Sequence, residues 1–180
     1  MLPPGHIAAG FLTAKALLHI AHPQITQAQQ THLLWWGMFF SFAPDLDNFL
    51  AFAKVRAWWY KQGADNTIHR RFYSHLPILW LVAGLLVYFL AQSPYYKMFG
   101  FLVWLGSWSH FILDSIDIYG IMWLWPYSKE IWALKDRGLE PKISGNNFFN
   151  YWFNFLKFYV TRRTFYVEII LLILVFFTIR

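Results

Sequence analysis

The stretch that decides the fold is Gly106-Ser-Trp-Ser-His-Phe-Ile-Leu-Asp-Ser-Ile-Asp-Ile-Tyr-Gly120. It is an apolar, aromatic run in which His110, Asp114 and Asp117 stand at positions i, i+4 and i+7. A helix with this spacing carries the imidazole and both carboxylates on one face. Such groups are costly inside a protein core or a bilayer unless they pair or bind something. The stretch therefore predicts a helix that supports a functional site.

Three other places in the chain repeat this combination of imidazoles and carboxylates. Each lies far from the 106–120 stretch in sequence. Imidazole and carboxylate are metal donors, and a catalytic metal needs about three protein ligands and an open position for water. We predict that the four places converge on one metal site, with ligands drawn from His6, Asp45, Asp47, His69, His75, His110 and Asp114.

The chemistry of the predicted site is limited by what the chain lacks. The sequence contains no cysteine, which excludes disulfides and thiolate ligands. A site made of His, Asp and water suits zinc, manganese or a similar ion, and a bridging Asp can hold two ions. The H-E-x-x-H and G-x-S-x-G motifs and a glycine-rich phosphate loop are also missing from the sequence. We therefore predict one or two divalent ions, with zinc preferred, as the cofactor.

The composition is that of a membrane protein. The chain is 58% hydrophobic, 22% aromatic and 13% charged, whereas a soluble domain has roughly 45–50% apolar and about 25% charged residues. Abundant Trp, Tyr and Phe suit aromatic belts at both membrane interfaces. With 180 residues, the chain is long enough for a single domain over residues 1–180.

Apolar segments and their breaks predict an all-α, polytopic membrane bundle of four to five spans. Pro44 interrupts the second segment, and irregular backbone at membrane depth occurs where it lines a polar cavity. Residues 22–32 form an uncharged polar loop, and residues 119–163 include an interfacial segment that lies on the membrane. The predicted helices cover residues 5–21, 33–53, 76–92, 98–118 and 164–179.

The positions of the basic residues predict the orientation. Of the 15 Lys and Arg residues, five lie in the 54–75 loop and seven in the 129–163 segment. The positive-inside rule makes that side cytoplasmic and puts the N-terminus on the same side. All the candidate ligands then fall at the cytoplasmic face. Because this pattern explains the net charge of +6, we predict no nucleic-acid partner.

Two of the ligand pairs also have a simpler interpretation. His110 and Asp114 can form a hydrogen bond within one helix, without any metal. Asp45 or Asp47 can cap the helix that resumes after Pro44 while the other binds the ion. The spacing of either pair occurs often by chance, so the prediction depends on their convergence.

The remaining candidates have alternatives of the same kind. His6 alone is a common polar residue at a helix start, and His69 and His75 can belong to a basic interfacial loop. Arg70 is either a clamp for an anionic substrate or a membrane anchor, since guanidinium binds phosphate in a bidentate manner. Asp117 either orients a ligand histidine or lies at the interface. The sequence gives no role to Glu168, which stands alone near a helix terminus.

Several short motifs follow one another along the chain. They are Gly5-His6-x-x-x-Gly10, Pro44-Asp45-Leu46-Asp47, His69-Arg70, Ser74-His75 and Ser109-His110-x-x-x-Asp114, with Gly120 and Pro126 beyond them. In this order they resemble a known family, the LexA-regulated inner-membrane metal-dependent hydrolases (YdjM-like) of bacteria and archaea, over about the first 126 residues. That family is similar, more distantly, to the zinc-dependent phospholipase C and single-strand nuclease superfamily.

The resemblance implies a ligand set for one or two ions. In that set Asp114 is a candidate bridge, and Asp47 is preferred over Asp45. The distant superfamily has further histidines and a His-x-x-x-Glu pair, whereas this chain has no His beyond 110. The implied ligands are His6, one Asp of the 45/47 pair, His69, His110 and Asp114.

Together these observations predict an integral inner-membrane hydrolase that uses metal-activated water. The predicted partners are membrane lipid and a phosphoester of a lipid or lipid-linked substrate, because of the depth of the site and the position of Arg70. Two other classes stay open. One is a transporter that relays metal ions or protons, and the other is a structural membrane protein without metal.

Overall fold

The structure is a computed structural model that describes residues 1–47, 72–116, 120–134, 143, 145 and 147–179. This part of the chain is all-helical, as predicted, apart from an isolated bridge between Ile121 and Trp132. Within these described ranges, two short 3-10 helices, Ala43–Asp47 and Tyr73–His75, accompany six α-helices. These are α1 (Pro3–Ala21), α2 (Gln27–Phe42), α3 (Pro77–Leu90), α4 (Pro94–Ser115), α5 (Phe148–Tyr159) and α6 (Arg163–Ile179).

Helices α2 and α4 begin several residues earlier than predicted, and local capping explains both. Helix α2 begins at Gln27, inside the segment predicted as a polar loop, because Thr26 and Gln29 form a reciprocal capping box. Helix α4 begins at Pro94 rather than near residue 98, because the Ser93 side chain accepts a hydrogen bond from the backbone N–H of Tyr96. Both starts follow from polar side chains in uncharged segments, where hydrophobic periodicity gives no signal.

The break at Pro44 occurs as predicted. Helix α2 ends at Phe42, and the chain continues through Pro44 as a 3-10 helix. Proline lacks the N–H that a further α-helical turn would need. The tighter winding carries both Asp45 and Asp47 beyond the end of α2.

Helices α1, α2 and α4 pack together, α3 packs on α4, and α6 packs on α1. A Cβ atom on Gly10 would lie 2.3 Å from the carbonyl oxygen of Gly37, so only glycine allows this approach of α1 to α2. Beside this crossing lies a buried apolar core, to which α1, α2 and α4 contribute Ala14, Leu33, Phe40, Met98, Leu102 and Val103.

Helices α3 and α6 expose large apolar side chains on the outside of the bundle. The sequence predicts four to five membrane spans. Among the residues that the structure describes, no helix has both the length and the apolarity needed to cross a membrane. The exposed apolar side chains include Val82, Leu86, Phe89 and Leu90 on α3, and Ile170, Ile173, Leu174, Phe176 and Phe177 on α6.

Candidate metal centre

Four separate parts of the chain bring imidazoles and carboxylates together at one end of the bundle. His6 comes from the start of α1, Asp45 from the 3-10 helix Ala43–Asp47, and His75 from the 3-10 helix Tyr73–His75. His110 and Asp114 come from the last turns of α4. The three histidines and Asp114 are buried, with exposed fractions of 0–1%. Asp45 is the most accessible of the five, with 14% of its side chain exposed.

Asp45 lies between all three imidazoles. Its Oδ1 atom is 3.6 Å from Nε2 of His75 and 3.7 Å from Nε2 of His110. Its Oδ2 atom is 4.0 Å from Nε2 of His6. One carboxylate therefore faces three imidazole nitrogens that come from three different helical segments.

Asp114 faces two of the same nitrogens from the other side. Its Oδ1 is 3.5 Å from Nε2 of His6, and its Oδ2 is 3.5 Å from Nε2 of His110. The simpler reading of His110 and Asp114 as a hydrogen-bonded pair does not fit this distance, because such bonds measure about 2.7–3.2 Å. The amino nitrogen of Met1 lies 3.3 Å from the same Oδ1 and places a positive charge beside it.

Most of these separations are close to those that ligands of a common ion adopt. Two donors bound about 2.0–2.2 Å from a tetrahedral ion are about 3.4 Å apart. Two groups of three donors have ligand atoms within 4.8 Å of one another: His6, Asp45 and His110, and His75, His110 and Asp114.

Orphaned donor atoms give an independent test of whether a metal fits. Nε2 of His6 and Nε2 of His110 are buried and have no hydrogen-bond partner among the described residues. Leaving a buried polar atom unsatisfied costs about 1–3 kcal/mol. Both nitrogens face the two central carboxylates, so a cation between them would satisfy the imidazoles and neutralise the acids. The donor set fits a divalent ion such as zinc.

Two of the histidines are oriented by hydrogen bonds on their outer nitrogens. Nδ1 of His110 donates to the backbone carbonyl of Ser41 at 2.9 Å. Nδ1 of His75 lies 2.9 Å from Oδ2 of Asp47, which also accepts a hydrogen bond from Ser74. Because carbonyl and carboxylate oxygens only accept, the ring protons belong on Nδ1. Each Nε2 then presents its lone pair to the centre, as in metal-bound histidines.

The structure gives the two aspartates after Pro44 different places. Asp45 lies among the imidazoles, whereas the carboxylate of Asp47 lies behind His75 and is 6% exposed. The family resemblance favours Asp47 as the ligand, but the geometry puts Asp45 in that position. Asp47 instead orients His75. The two-residue spacing in a 3-10 helix explains the difference, because it turns the two side chains to different sides.

Ser41 is a residue that sequence reasoning missed. Its hydroxyl donates to the carbonyl of His6 at 2.5 Å, and its own carbonyl accepts from His110. Ser109 donates to the Ser41 hydroxyl at 3.1 Å. A lone serine in the apolar run just before Pro44 is the sequence signal that could have identified it. Ser41 fixes α1 and α4 relative to each other at the site.

Glu168, to which the sequence gives no role, lies in a buried position that the sequence did not predict. It is 5% exposed, on α6. Its Oε1 accepts a hydrogen bond from the backbone N–H of Gly5 at 3.1 Å, and its Oε2 accepts one from the hydroxyl of Tyr159. It therefore contacts the helix turn that carries His6.

Charge interactions set the ionisation of two groups that lie outside the α-helices. Burial alone would raise the pKa of Asp45, but His75, His110 and His6 outweigh burial and hold that pKa below its ordinary value. Burial alone would lower the pKa of His75, but the carboxylates of Asp45 and Asp47 outweigh burial and raise it above 6.5. Asp45 is therefore ionised, and a proton competes with any metal for His75.

Three predicted site residues lie outside the described residues: His69, Arg70 and Asp117. Their roles stay predictions. The structure brings together His6, Asp45, His75, His110 and Asp114 without them, and whether these five side chains bind a metal is likewise a prediction.

Comparison with known proteins identifies a family. The model of the YdjM inner membrane protein family matches residues 1–180. The chain therefore belongs to that family, as its motifs predicted. No curated protein and no solved structure matches the chain. The more distant similarity to the zinc-dependent phospholipase C and nuclease superfamily has no support in these comparisons.

Proposed function

We propose that this member of the YdjM inner membrane protein family is a metal-dependent hydrolase. A single observation carries the proposal: Nε2 atoms of three buried histidines and two carboxylates face one point at separations of 3.5–4.0 Å. Assembling five such groups from four parts of the chain in a buried position is costly unless a cation binds there. Zinc is the preferred ion, and manganese or a similar ion is the alternative.

The shared histidine favours one ion over two. His110 belongs to both groups of three donors, and its single Nε2 lone pair binds one ion. In the one-ion arrangement, His6, His110 and Asp114 would hold the ion and leave a position open for water, with Asp45 and His75 beside it. A second ion would need a bridging carboxylate. Asp114, the bridge that the resemblance implies, suits that role because its two oxygens face different imidazoles, and Asp45 has a similar arrangement.

The chain's own residues orient the imidazoles of this centre. A bound divalent ion supplies a water of lowered pKa and polarises the bond under attack. The hydrogen bonds from His75 to Asp47 and from His110 to Ser41 hold the rings in place before substrate arrives. Asp45 is the most accessible of the five groups, so we place the approach of substrate on its side.

We propose a phosphoester of a lipid or lipid-linked molecule as the substrate, at the cytoplasmic face of the inner membrane. The family description supports the inner membrane, and the apolar outer faces of α3 and α6 suit contact with lipid. The basic segments of the sequence support a cytoplasmic site and N-terminus. Arg70 and Asp117 keep their proposed roles as the phosphate clamp and as a carboxylate that orients a ligand.

Metal analysis combined with hydrolysis assays tests the proposal. Protein purified in detergent should retain about one zinc or similar ion per chain and should hydrolyse phospholipids or generic phosphate esters. His110→Ala should lose both properties, whereas His32→Ala, a change at an exposed histidine on α2, should retain both. Absence of metal from the wild-type protein after reconstitution with zinc or manganese would contradict the proposal. If the protein binds metal but hydrolyses neither kind of substrate, it is a metal-binding protein and the proposed hydrolase activity is refuted.

A further inference from the structure

Glu168 is a buried carboxylate that the proposed metal centre does not use. Only 5% of the residue is exposed, and buried glutamates are rare unless they are paired. Its partners lie at the opposite end of the sequence. Oε1 accepts the backbone N–H of Gly5 at 3.1 Å, and Oε2 accepts the Tyr159 hydroxyl. The hydroxyl oxygen of Tyr159 in turn accepts the backbone N–H of Leu2 at 3.4 Å.

These contacts cap helix α1 from another part of the chain. The first backbone N–H groups of a helix have no partner within the helix. The residue at the N-cap position of α1 is Leu2, whose side chain makes no capping hydrogen bond. The Gly5 N–H, which also donates to the Leu2 carbonyl at 3.1 Å, is shared with Glu168, and the Leu2 N–H donates to Tyr159. A negative charge is also favourable at this end of the helix dipole.

The packing at Gly5 shows how closely α6 approaches this turn. A Cβ atom added to Gly5 would lie 3.0 Å from Cγ of Glu168 and 2.5 Å from Sδ of Met1. The space beside Gly5 is therefore filled by the glutamate and the N-terminal residue. His6 follows directly in the chain, so any shift of this turn moves the imidazole.

His6 depends on its backbone more than the other two histidines do. His75 and His110 have partners on Nδ1 that orient their rings. Nδ1 of His6 has no hydrogen-bond partner among the described residues. Its position is therefore set by the first turn of α1, by the hydrogen bond from Ser41 to its carbonyl, and by stacking on His110.

We propose that Glu168, together with Tyr159, is a positioning residue for the metal centre. It holds the first turn of α1 so that Nε2 of His6 faces the two central carboxylates. The inference rests on the proposed metal site, and it adds that the geometry of this site depends on a residue of α6. Because His6 contacts Asp45 and Asp114, a displaced His6 alters the ligand field of the ion.

Cobalt(II) binding to the full chain in detergent tests the inference, because the visible absorption of cobalt reports ligand geometry. We compare wild type with Glu168→Ala, Glu168→Gln and Tyr159→Phe. The matched control is Tyr166→Phe, at an exposed tyrosine on the same helix as Glu168. Circular dichroism and thermal unfolding show whether each variant is folded.

We expect Glu168→Ala to weaken cobalt binding about tenfold or more, as loss of outer-shell support usually does, and to change the visible spectrum. Glu168→Gln keeps an oxygen for the Gly5 N–H and should restore part of the affinity. Tyr159→Phe should give a smaller loss in the same direction, and Tyr166→Phe should match wild type. A merely structural role would lower thermal stability without changing the cobalt spectrum.

The outcomes separate this inference from the function it rests on. If wild type binds cobalt and folded Glu168→Ala binds it with unchanged affinity and spectrum, the positioning role is refuted and the metal site stands. If wild type binds no cobalt, the metal site itself is refuted. Should Glu168→Ala fail to fold, Tyr159→Phe decides, and a spectrum identical to wild type would overturn the inference.

Discussion

The imidazole of His6 stacks on the imidazole of His110, with ring centroids 4.0 Å apart and planes inclined by 26°. The two rings come from the first turn of α1 and the last turns of α4. Two imidazolium ions would repel each other at this distance, whereas two neutral rings can share one cation at their Nε2 atoms. The stack therefore favours metal over protons between these histidines.

Removing a central ligand should abolish metal binding. We expect Asp114→Ala to lower zinc affinity by at least about a hundredfold, because it removes the carboxylate that contacts both stacked histidines. Isothermal titration with zinc measures this directly. The matched control is Glu130→Ala, which changes an exposed acid outside the site. Equal affinities of the two variants would contradict the assignment.

The two aspartates after Pro44 should respond differently to loss of charge. Asp45→Asn should reduce zinc affinity more than Asp47→Asn, because Asp45 faces the imidazoles directly and Asp47 acts through His75. For Asp47→Asn we expect a loss of about 10- to 100-fold, the usual effect of an outer-shell partner. Zinc titration of both variants measures which one loses more affinity. A larger loss in Asp47→Asn would indicate that Asp47 is the ligand.

Ser41→Ala should destabilise the junction between α1 and α4. It leaves the carbonyl of His6 without the hydroxyl that donates to it in a fully buried position. We expect a loss of about 1–3 kcal/mol in the free energy of unfolding. Because the Ser41 carbonyl still accepts from His110, zinc should still bind. Chemical denaturation with and without zinc measures the change, and a variant as stable as wild type would refute this role.

Zinc affinity should rise with pH. The pKa of His75 is raised by its acidic neighbours, so metal must displace a proton there at pH values below the shifted pKa. The affinity should increase by up to about tenfold per pH unit in that range and level off above it. In Asp47→Asn the pKa of His75 should fall, so the rise should move to lower pH. Zinc titrations across pH measure the affinity of wild type and of Asp47→Asn. Identical pH dependence in the two proteins would contradict the assignment of the effect to His75 and Asp47.

The crossing of α1 and α2 should not accept a larger residue at Gly37. A Cβ atom there would lie 2.6 Å from Cβ of Ala14 and 2.7 Å from the carbonyl oxygen of Gly10. We expect Gly37→Ala to cost about 1–3 kcal/mol of stability. Gly106→Ala is the control with a milder contact, since its nearest atom is 3.1 Å away. Thermal unfolding ranks the two, and equal stability would contradict the close packing.

Much of the fold follows from the sequence because its signals are local. Helix α3 begins at Pro77 as the preference of proline for a first turn predicts. The break at Pro44 follows from the missing N–H of proline. The start of α2 at Gln27 was missed, because a capping box in an uncharged segment has no hydrophobic period.

The sequence predicted that the candidate ligands converge, because they share one predicted membrane face and resemble a family's motifs, but it did not predict their finer arrangement. The i, i+4 spacing of His110 and Asp114 indicates a shared helix face, which local periodicity is sufficient to predict. Which of Asp45 and Asp47 faces the imidazoles depends on the turn of a short 3-10 helix, which residue types do not specify. The contact of Glu168 with Gly5 joins distant parts of the chain and depends on how α6 packs against α1.

X-ray absorption spectroscopy of the zinc-loaded protein tests the central claim most directly, because it reports the atoms that surround the ion. We expect a nitrogen and oxygen shell at about 2.0–2.1 Å, with outer-shell scattering from two or three imidazoles that declines in His110→Ala. A shell of oxygen alone without imidazole scattering, or a spectrum that His110→Ala leaves unchanged, would contradict a metal centre at these histidines.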